Sequence, residues 1–192
     1  IIADNYHRSP DFFDKLEKIF QYLIRDIPST VSNLIPDYTN YNKRIVFLLI
    51  EKGFAKPDEA FIKQYLQSKK AYKKLRNRKN LDIMQTYYFL YPKIKEFLDG
   101  KIQKQIEEDI FQQYKEAVTA FEEKCQIGEN DSYVCSLLRS DSVEEFISYC
   151  NKTNLSLLSK ILSSIYETHA FLIDKEPTLI EYAAFFGSIQ II

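Results

Sequence analysis

The spacing of apolar side chains predicts a chain built from helices. From Ser9 to Gly128, apolar residues recur at intervals of three and four, the period that buries one face of a helix. Proline, glycine and capping residues divide this pattern into segments, beginning at Ser9-Pro10. The predicted helices cover 10–27, 30–35, 40–52, 57–66 with an extension to 75 left open, 81–91, and 92–98 ending at Gly100.

The longest apolar rhythm predicts one continuous helix over 101–126. Charged residues fill the opposite face, and Gly128 ends the segment. The apolar positions of this helix are Ile102, Ile106, Ile110, Tyr114, Ala117, Val118 and Phe121. Residues 1–128 are therefore predicted to form an all-α leader domain, an irregular helical bundle.

Composition supports this interpretation. The chain has 192 residues, 45% of them hydrophobic, with only four glycines and six prolines, which favours helices over turn-rich sheets. Its three cysteines are odd in number and lack metal-site spacing, which predicts reduced thiols in the cytoplasm or nucleus. The chain shows no secretory signal pattern, and apolar runs such as 45–50 are too short to cross a bilayer.

Residues 129–192 follow a different pattern. Two short helices are expected at 131–139 and 142–151, almost without a loop between them. Weak periodicity follows over 152–176, and a second pair of short helices starts at Thr178. This region is predicted to be a second domain.

The segment 178–192 contains the most specific motif of the chain. Thr178 is placed to cap a helix, with Glu181 completing a capping box, and Gly187 supplies a left-handed turn. Small residues allow the two helices of a pair to pack closely. The remaining motif positions, expected to face neighbouring helices, are Leu179, Tyr182, Ala183, Ala184, Ile189 and Ile192.

These residues resemble the opening of an ankyrin repeat. The matching order is threonine, leucine, two alanines, glycine and isoleucine. Ile180 stands where the pattern often has histidine, and the usual proline after the threonine is missing. The resemblance implies a non-enzymatic protein-binding scaffold, and the apolar end at Ile192 implies further repeats or self-association there.

A similarity between two segments of the chain, called the internal echo below, suggests a second, degenerate copy of the motif. A shift of 46 residues places 137–143 under 183–189, with Asp141 in the position of Gly187 and a further capping box expected from Ser142 and Glu145. Since ankyrin repeats have a period of about 33 residues, an insertion of about 13 is expected within 152–176. We expect that insertion to be a recognition finger, with His169 on its surface.

Segments 142–149 and 165–192 are also similar to a domain of unknown function. That domain precedes or merges with ankyrin repeats in a very large protist protein family. The resemblance implies a helical leader followed by repeats. It implies no activity and provides no catalytic residues to transfer.

Segment 63–79 is strongly basic and contains no acidic residue. It favours the solvated face of an amphipathic helix, and the functional alternatives are a nuclear-import signal or a site for nucleic acid or an anionic surface. Residues 1–80 have a net charge of +7 and residues 81–192 of −8, so two copies could also associate through opposite charges. The basic residues are Lys63, Lys69, Lys70, Lys73, Lys74, Arg76, Arg78 and Lys79.

Other patterns provide weaker evidence of function. The run Tyr87–Tyr91 is interpreted as core and not as a base-stacking platform, and Glu107, Glu108 and Asp109 are expected to face solvent. No phosphate loop, nucleophile elbow or metal motif is present, so no cofactor or metal is expected. The sequence favours a scaffold that binds an unidentified protein, with nucleic-acid binding and a motif-poor enzyme as alternatives.

Overall fold

The computed structural model describes residues 11–23, 29–37, 42–74 and 78–192, with backbone alone for 69–74, 78–83 and 174. Apart from two isolated bridges, Thr30 with Lys56 and Lys160 with Thr178, the regular structure in these ranges is helical, which confirms the predicted all-α fold. The helices are α1 Phe12–Leu23, α2 Val31–Leu34, α3 Lys43–Glu51, α4 Glu59–Lys74, α5 Arg78–Ile94, α6 Gly100–Tyr114, α7 Val118–Ile127, α8 Tyr133–Arg139, α9 Val143–Thr153, α10 Ala170–Lys175 and α11 Leu179–Phe186.

Helix α4 begins where an aspartate side chain caps its first turn. The Asp58 carboxylate accepts a hydrogen bond from the Phe61 backbone N–H at 3.2 Å, which caps the helix start. The helix continues to Lys74, so the open extension of the predicted helix is observed. The predicted start at Ser9-Pro10 and the predicted stop at Pro28 lie outside the described residues.

The two helices predicted on either side of Pro92 are one. Helix α5 continues through Pro92 to Ile94, and a 3-10 turn, Lys95–Phe97, follows. Tyr91 and Ile94 are both fully buried, so packing on both sides of the proline holds the chain helical. Gly100 does not end a helix but begins α6, because the Asp99 carboxylate caps the next turn by accepting from the Lys101 N–H at 2.8 Å.

The prediction of a single long helix over 101–126 is wrong, because two helices cover this range. Lys115 adopts a left-handed conformation, with φ 58°, and ends α6, and α7 starts at Val118. The apolar rhythm continues across this break because both helices turn apolar side chains toward the same core. The rings of Tyr114 and Phe121 lie 5.4 Å apart, one from each side of the break.

The described chain divides into two compact units. The N-terminal unit is Phe13–Ile127, and the C-terminal unit is Gly128–Ile192 with the described residues Asp11 and Phe12. In the N-terminal unit, α5 packs against α3, α4 and α7. Stacked rings of Tyr65 and Tyr87, 4.3 Å apart, join α4 to α5.

The C-terminal unit has its own core between short helices. Helix α8 packs against both α9 and α11. The core residues come from all four helices of the unit and from the segment between α9 and α10. They are Cys135, Leu137, Leu138, Phe146, Ile161, Leu172, Leu179, Tyr182 and Ala183.

Candidate protein-interaction surface

Helix α11 begins with the capping box expected from Thr178 and Glu181. The Thr178 hydroxyl accepts a hydrogen bond from the Glu181 N–H at 3.4 Å, and the Glu181 carboxylate accepts from the Thr178 N–H at 2.7 Å. The bonds from the Thr178 backbone and hydroxyl hold the pKa of Glu181 below its usual value. Two N–H groups that a helix start leaves without intrahelical partners are thus satisfied.

The apolar positions of the motif divide between core and surface. Leu179, Tyr182 and Ala183 are buried, but Ala184 is exposed. The expectation that Ile189 and Ile192 begin a buried helical face is wrong, since they are 81% and 57% exposed. After Gly187 the described chain forms turns instead of a helix, in which the Ile189 N–H bonds to the Gly187 carbonyl at 2.9 Å.

Two left-handed residues end α11 and the turn after α8. Gly187 has φ 75° and Asp141 has φ 51°, as the internal echo predicts. Aspartate is among the few residues other than glycine that tolerate this conformation. The capping box expected from Ser142 and Glu145 does not form, because the Ser142 hydroxyl pairs with the Ser140 hydroxyl at 2.7 Å instead of with the start of α9.

The turns after α8 and α11 lie side by side. The Ser188 hydroxyl donates to the Leu138 carbonyl, and the Gln190 N–H donates to the Asp141 carboxylate at 3.2 Å. The side chains of Leu138, Ser188 and Tyr182 are buried at this contact. The two segments related by the internal echo are therefore direct neighbours.

Arg139 strengthens the contact between α8 and α11. Its guanidinium donates to the Tyr182 hydroxyl at 2.6 Å and to the Asn130 carbonyl at 2.9 Å. It also forms an ion pair with Glu129 at 2.7 Å. Burial raises the pKa of Tyr182, so its hydroxyl remains a neutral partner of Arg139.

The sequence predicted that segment 152–176 is a finger separate from the core, and this prediction is wrong. Ile161 and Leu172 belong to the core, and backbone bonds pair residues 157–161 with the start of α11. Only part of the segment faces solvent, where Leu158 is 75% and Leu162 is 85% exposed. The insertion therefore contributes both to folding and to an exposed apolar surface.

His169 is buried, so its expected surface position is wrong. The Glu167 carboxylate lies 3.0 Å from His169 Nδ1 and accepts hydrogen bonds from the N–H groups of Thr168 and His169 at 2.9 Å. It also accepts from the Asn130 N–H at 3.3 Å. A buried polar group is tolerated where hydrogen bonds compensate for lost water, and the Glu167 side chain joins two loops in this way. Sequence reasoning missed the network because its partners are 37 residues apart.

A shallow groove, largely open to solvent, lies along α9 beside the first turn of α8, with a volume of about 410 Å³. Tyr133 comes from the first turn of α8, and the other lining residues lie along α9. The rings of Tyr133 and Tyr149 are 5.3 Å apart and inclined at 72°. No local spacing signals this pair, because the two tyrosines lie on different helices. The α9 residues of the groove are Glu144, Glu145, Ser148, Tyr149 and Lys152.

Most of the basic segment 63–79 lies outside the residues whose side chains the structure describes. Lys63 is exposed on α4. The other seven basic side chains lie outside the described part of the structure, and so does the backbone of Arg76. An anionic-surface or nucleic-acid site there stays a prediction. The backbone positions are Lys69, Lys70, Lys73 and Lys74 on α4 and Arg78 and Lys79 on α5.

Other candidate residues have structural roles. The run Tyr87–Tyr91 is buried, which agrees with its interpretation as core. Glu107 does not simply face solvent, because its carboxylate accepts from the buried Tyr91 hydroxyl at 2.8 Å. All three cysteines are free thiols, with Cys125 and Cys135 buried and Cys150 half-buried. Among the described residues, no group of three or more histidine, cysteine, aspartate or glutamate side chains is placed to hold a metal ion.

Comparisons with known proteins leave the family open. No protein-family model matches the chain, and neither the curated proteins nor the solved structures contain a significant match. None of the described helices has the length and apolar content needed to cross a membrane. The resemblance to ankyrin repeats therefore stays a prediction that rests on residues and geometry alone.

Proposed function

We propose that this chain is a non-enzymatic scaffold of the ankyrin-repeat type, which binds a protein partner through its C-terminal unit. The observation that carries the proposal is the direct packing of α8 against α11, with hydrogen bonds from Ser188 to Leu138 and from Gln190 to Asp141 that join their C-terminal ends and the turns that follow. Repeat scaffolds are built in this way, by placing equivalent helices of successive units beside each other.

The turn geometry supports the same interpretation. Asp141 and Gly187 occupy equivalent positions in the two halves of the echo, and both are left-handed. The capping box of α11 adds a local feature expected of a repeat. The extra helix α10 and the segment before it account for a spacing of 46 instead of about 33 residues.

The exposed part of the insertion is the proposed recognition surface. Leu158 and Leu162 expose most of their apolar area, and their neighbours Ile161 and Ile165 are buried. Exposed apolar groups held by an ordered backbone suit recognition of a protein. The cytoplasm or nucleus is the proposed location, since free thiols persist in reducing compartments.

Site-specific photocrosslinking tests this proposal. A photoreactive phenylalanine derivative replaces Leu158 or Leu162 in the full chain. Each variant is expressed in the cells that naturally make this protein, so that its natural partners are present. The matched control carries the same group at Phe111 of α6, which is 55% exposed. We expect one polypeptide to crosslink at Leu158 and Leu162 and not at Phe111. Identical crosslinking at all three positions, or none at the first two, would contradict the proposal.

A further inference from the structure

The exposed leucines of the proposed recognition surface flank a short β-bridge. Lys160 pairs with Thr178 in antiparallel orientation. The Ile161 N–H donates to the Pro177 carbonyl at 2.9 Å, and the Ser159 carbonyl accepts from the N–H of the first residue of α11 at 3.0 Å. These two backbone bonds lie on either side of the bridge. They hold the chain around Lys160 beside the start of α11 with the hydrogen-bond pattern of an antiparallel pair.

The outer edge of this bridge is open. In an antiparallel pair, successive residues point their N–H and C=O groups alternately to the two edges. Because the bonded groups of Ser159 and Ile161 point toward the start of α11, those of Lys160 point the other way. The Lys160 N–H and carbonyl and the Leu162 N–H form no hydrogen bond within the residues that the structure describes. These three main-chain groups are called the 160–162 edge below.

The side chains of the 160–162 edge alternate as in a half-buried strand. Lys160 and Leu162 are exposed, and Ile161 between them is buried. One end of the edge is fixed, because the Leu162 carbonyl accepts from the side chain of the buried Asn130 at 3.0 Å. The fold therefore holds the edge in place before a partner arrives, which reduces the entropy lost when another chain binds.

The charge of Lys160 indicates what kind of strand fits this edge. Symmetric pairing of two copies would place Lys160 opposite Lys160, and like charges in that position are destabilising. Glu181 lies within electrostatic range of Lys160, but its carboxylate already accepts from the Thr178 N–H and hydroxyl. The Lys160 ammonium therefore favours an acidic side chain on a strand from a different protein.

We infer that the 160–162 edge binds an extended segment of the partner protein by β-strand addition. The segment runs antiparallel to the edge, donates to the Lys160 carbonyl, and accepts from the N–H groups of Lys160 and Leu162. An acidic side chain of the segment lies opposite Lys160, and apolar side chains two residues to either side meet Leu158 and Leu162. The inference rests on the proposed function, because it names how the same surface recognises its partner.

Fluorescence anisotropy tests the inference with the full chain and a labelled heptapeptide, serine-valine-threonine-glutamate-threonine-valine-serine. In one derivative a methyl group replaces the amide hydrogen of the glutamate, which donates to the Lys160 carbonyl. In the matched derivative the methyl group is on the threonine that follows, whose amide points away from the edge. We expect the first methylation to weaken binding at least about tenfold and the second less than about threefold. Equal losses, or no binding of the unmethylated peptide at millimolar concentration, would overturn the inference.

Two variants of the chain test the same contact from the other side. Lys160→Pro removes both the N–H donor and the ammonium group, whereas Lys160→Gln removes the ammonium group alone. We expect Lys160→Gln to weaken heptapeptide binding about threefold and Lys160→Pro at least about tenfold. Equal affinities of the two folded variants would contradict strand addition. If circular dichroism shows that Lys160→Pro does not fold, the two methylated peptides decide.

Sedimentation of the full chain tests a second copy as the alternative occupant, and we expect a monomer. A dimer that Lys160→Pro dissociates would show that the edge pairs with itself, and the inference of a partner strand would be wrong. Failure of the proposed function has a different signature, because crosslinking at Leu158 and Leu162 is then absent. Failure of the inference alone leaves that crosslinking intact and removes the difference between the two methylated peptides.

Discussion

The two compact units reach stability by different means. The N-terminal unit relies on long helices and a large aromatic core, in which Phe89 and Phe47 are completely buried. The C-terminal unit has shorter helices, and hydrogen bonds accepted by Glu167 and donated by Arg139 and Ser188 join its loops and turns. Apolar periodicity therefore describes the first unit well, whereas the second depends on individual polar side chains and turn conformations.

Removing a large aromatic ring from the core should lower the free energy of unfolding more than any other change described below. Phe89→Ala deletes a buried ring that lies 5.3 Å from Phe47, so we expect a loss of about 4 kcal/mol in the free energy of unfolding. Urea denaturation followed by circular dichroism measures this loss. The control Phe111→Ala, at an exposed position of α6, should cost less than about 1 kcal/mol. Similar losses would contradict a core centred on α5.

The C-terminal unit should respond most to loss of a single carboxylate. Glu167→Ala leaves three backbone N–H groups without their acceptor, at an expected cost of about 3 kcal/mol. Hydrogen exchange of peptides from 128–192 should report faster opening. Ser163→Ala, an exposed change in the same segment, should cost less than about 0.5 kcal/mol. Unchanged exchange in Glu167→Ala would show that the network does not stabilise the unit.

A turn substitution should give a smaller effect. Gly187→Ala meets no atom within 4 Å, so its cost comes from the left-handed backbone alone. We expect a loss of about 1 kcal/mol in urea denaturation. Gly100→Ala serves as control because Gly100 has open space and lies at the start of α6 without a positive φ. Equal effects at the two positions would argue against the assigned turn.

The smallest expected effect is a change in how the stability of the protein depends on pH when Glu181 is replaced. Because the folded pKa of Glu181 is below the reference value of 4.5, its ionised form stabilises the folded state at neutral pH. This contribution disappears as the pH falls through the folded pKa. Glu181→Gln should therefore be less stable than the wild type at neutral pH, with the difference shrinking on acidification. A difference in urea midpoints that grows on acidification would reverse this assignment.

Local motifs and periodicity predicted much of the structure, and their failures have physical causes. Helix α4 follows its apolar stripe, and the capping box of Thr178 and Glu181 needs only four residues. The break at Lys115 gave no signal, because the apolar rhythm continues through it.

Long-range contacts account for the other errors. His169 is buried because Glu167 and Asn130 meet across 37 residues, a contact that no local pattern encodes. The groove likewise joins Tyr133 of α8 to Tyr149 of α9. Single residues of the candidate site could be chosen from sequence, but their assembly into surfaces required the fold.

The most direct test of the scaffold proposal is calorimetric titration with the polypeptide captured at Leu158 or Leu162. The full wild-type chain should bind it, and the variant L158S/L162S should bind at least about tenfold more weakly. The melting temperature should stay the same, because both leucines are exposed. Equal affinities of the wild type and a folded variant would contradict the proposed recognition surface.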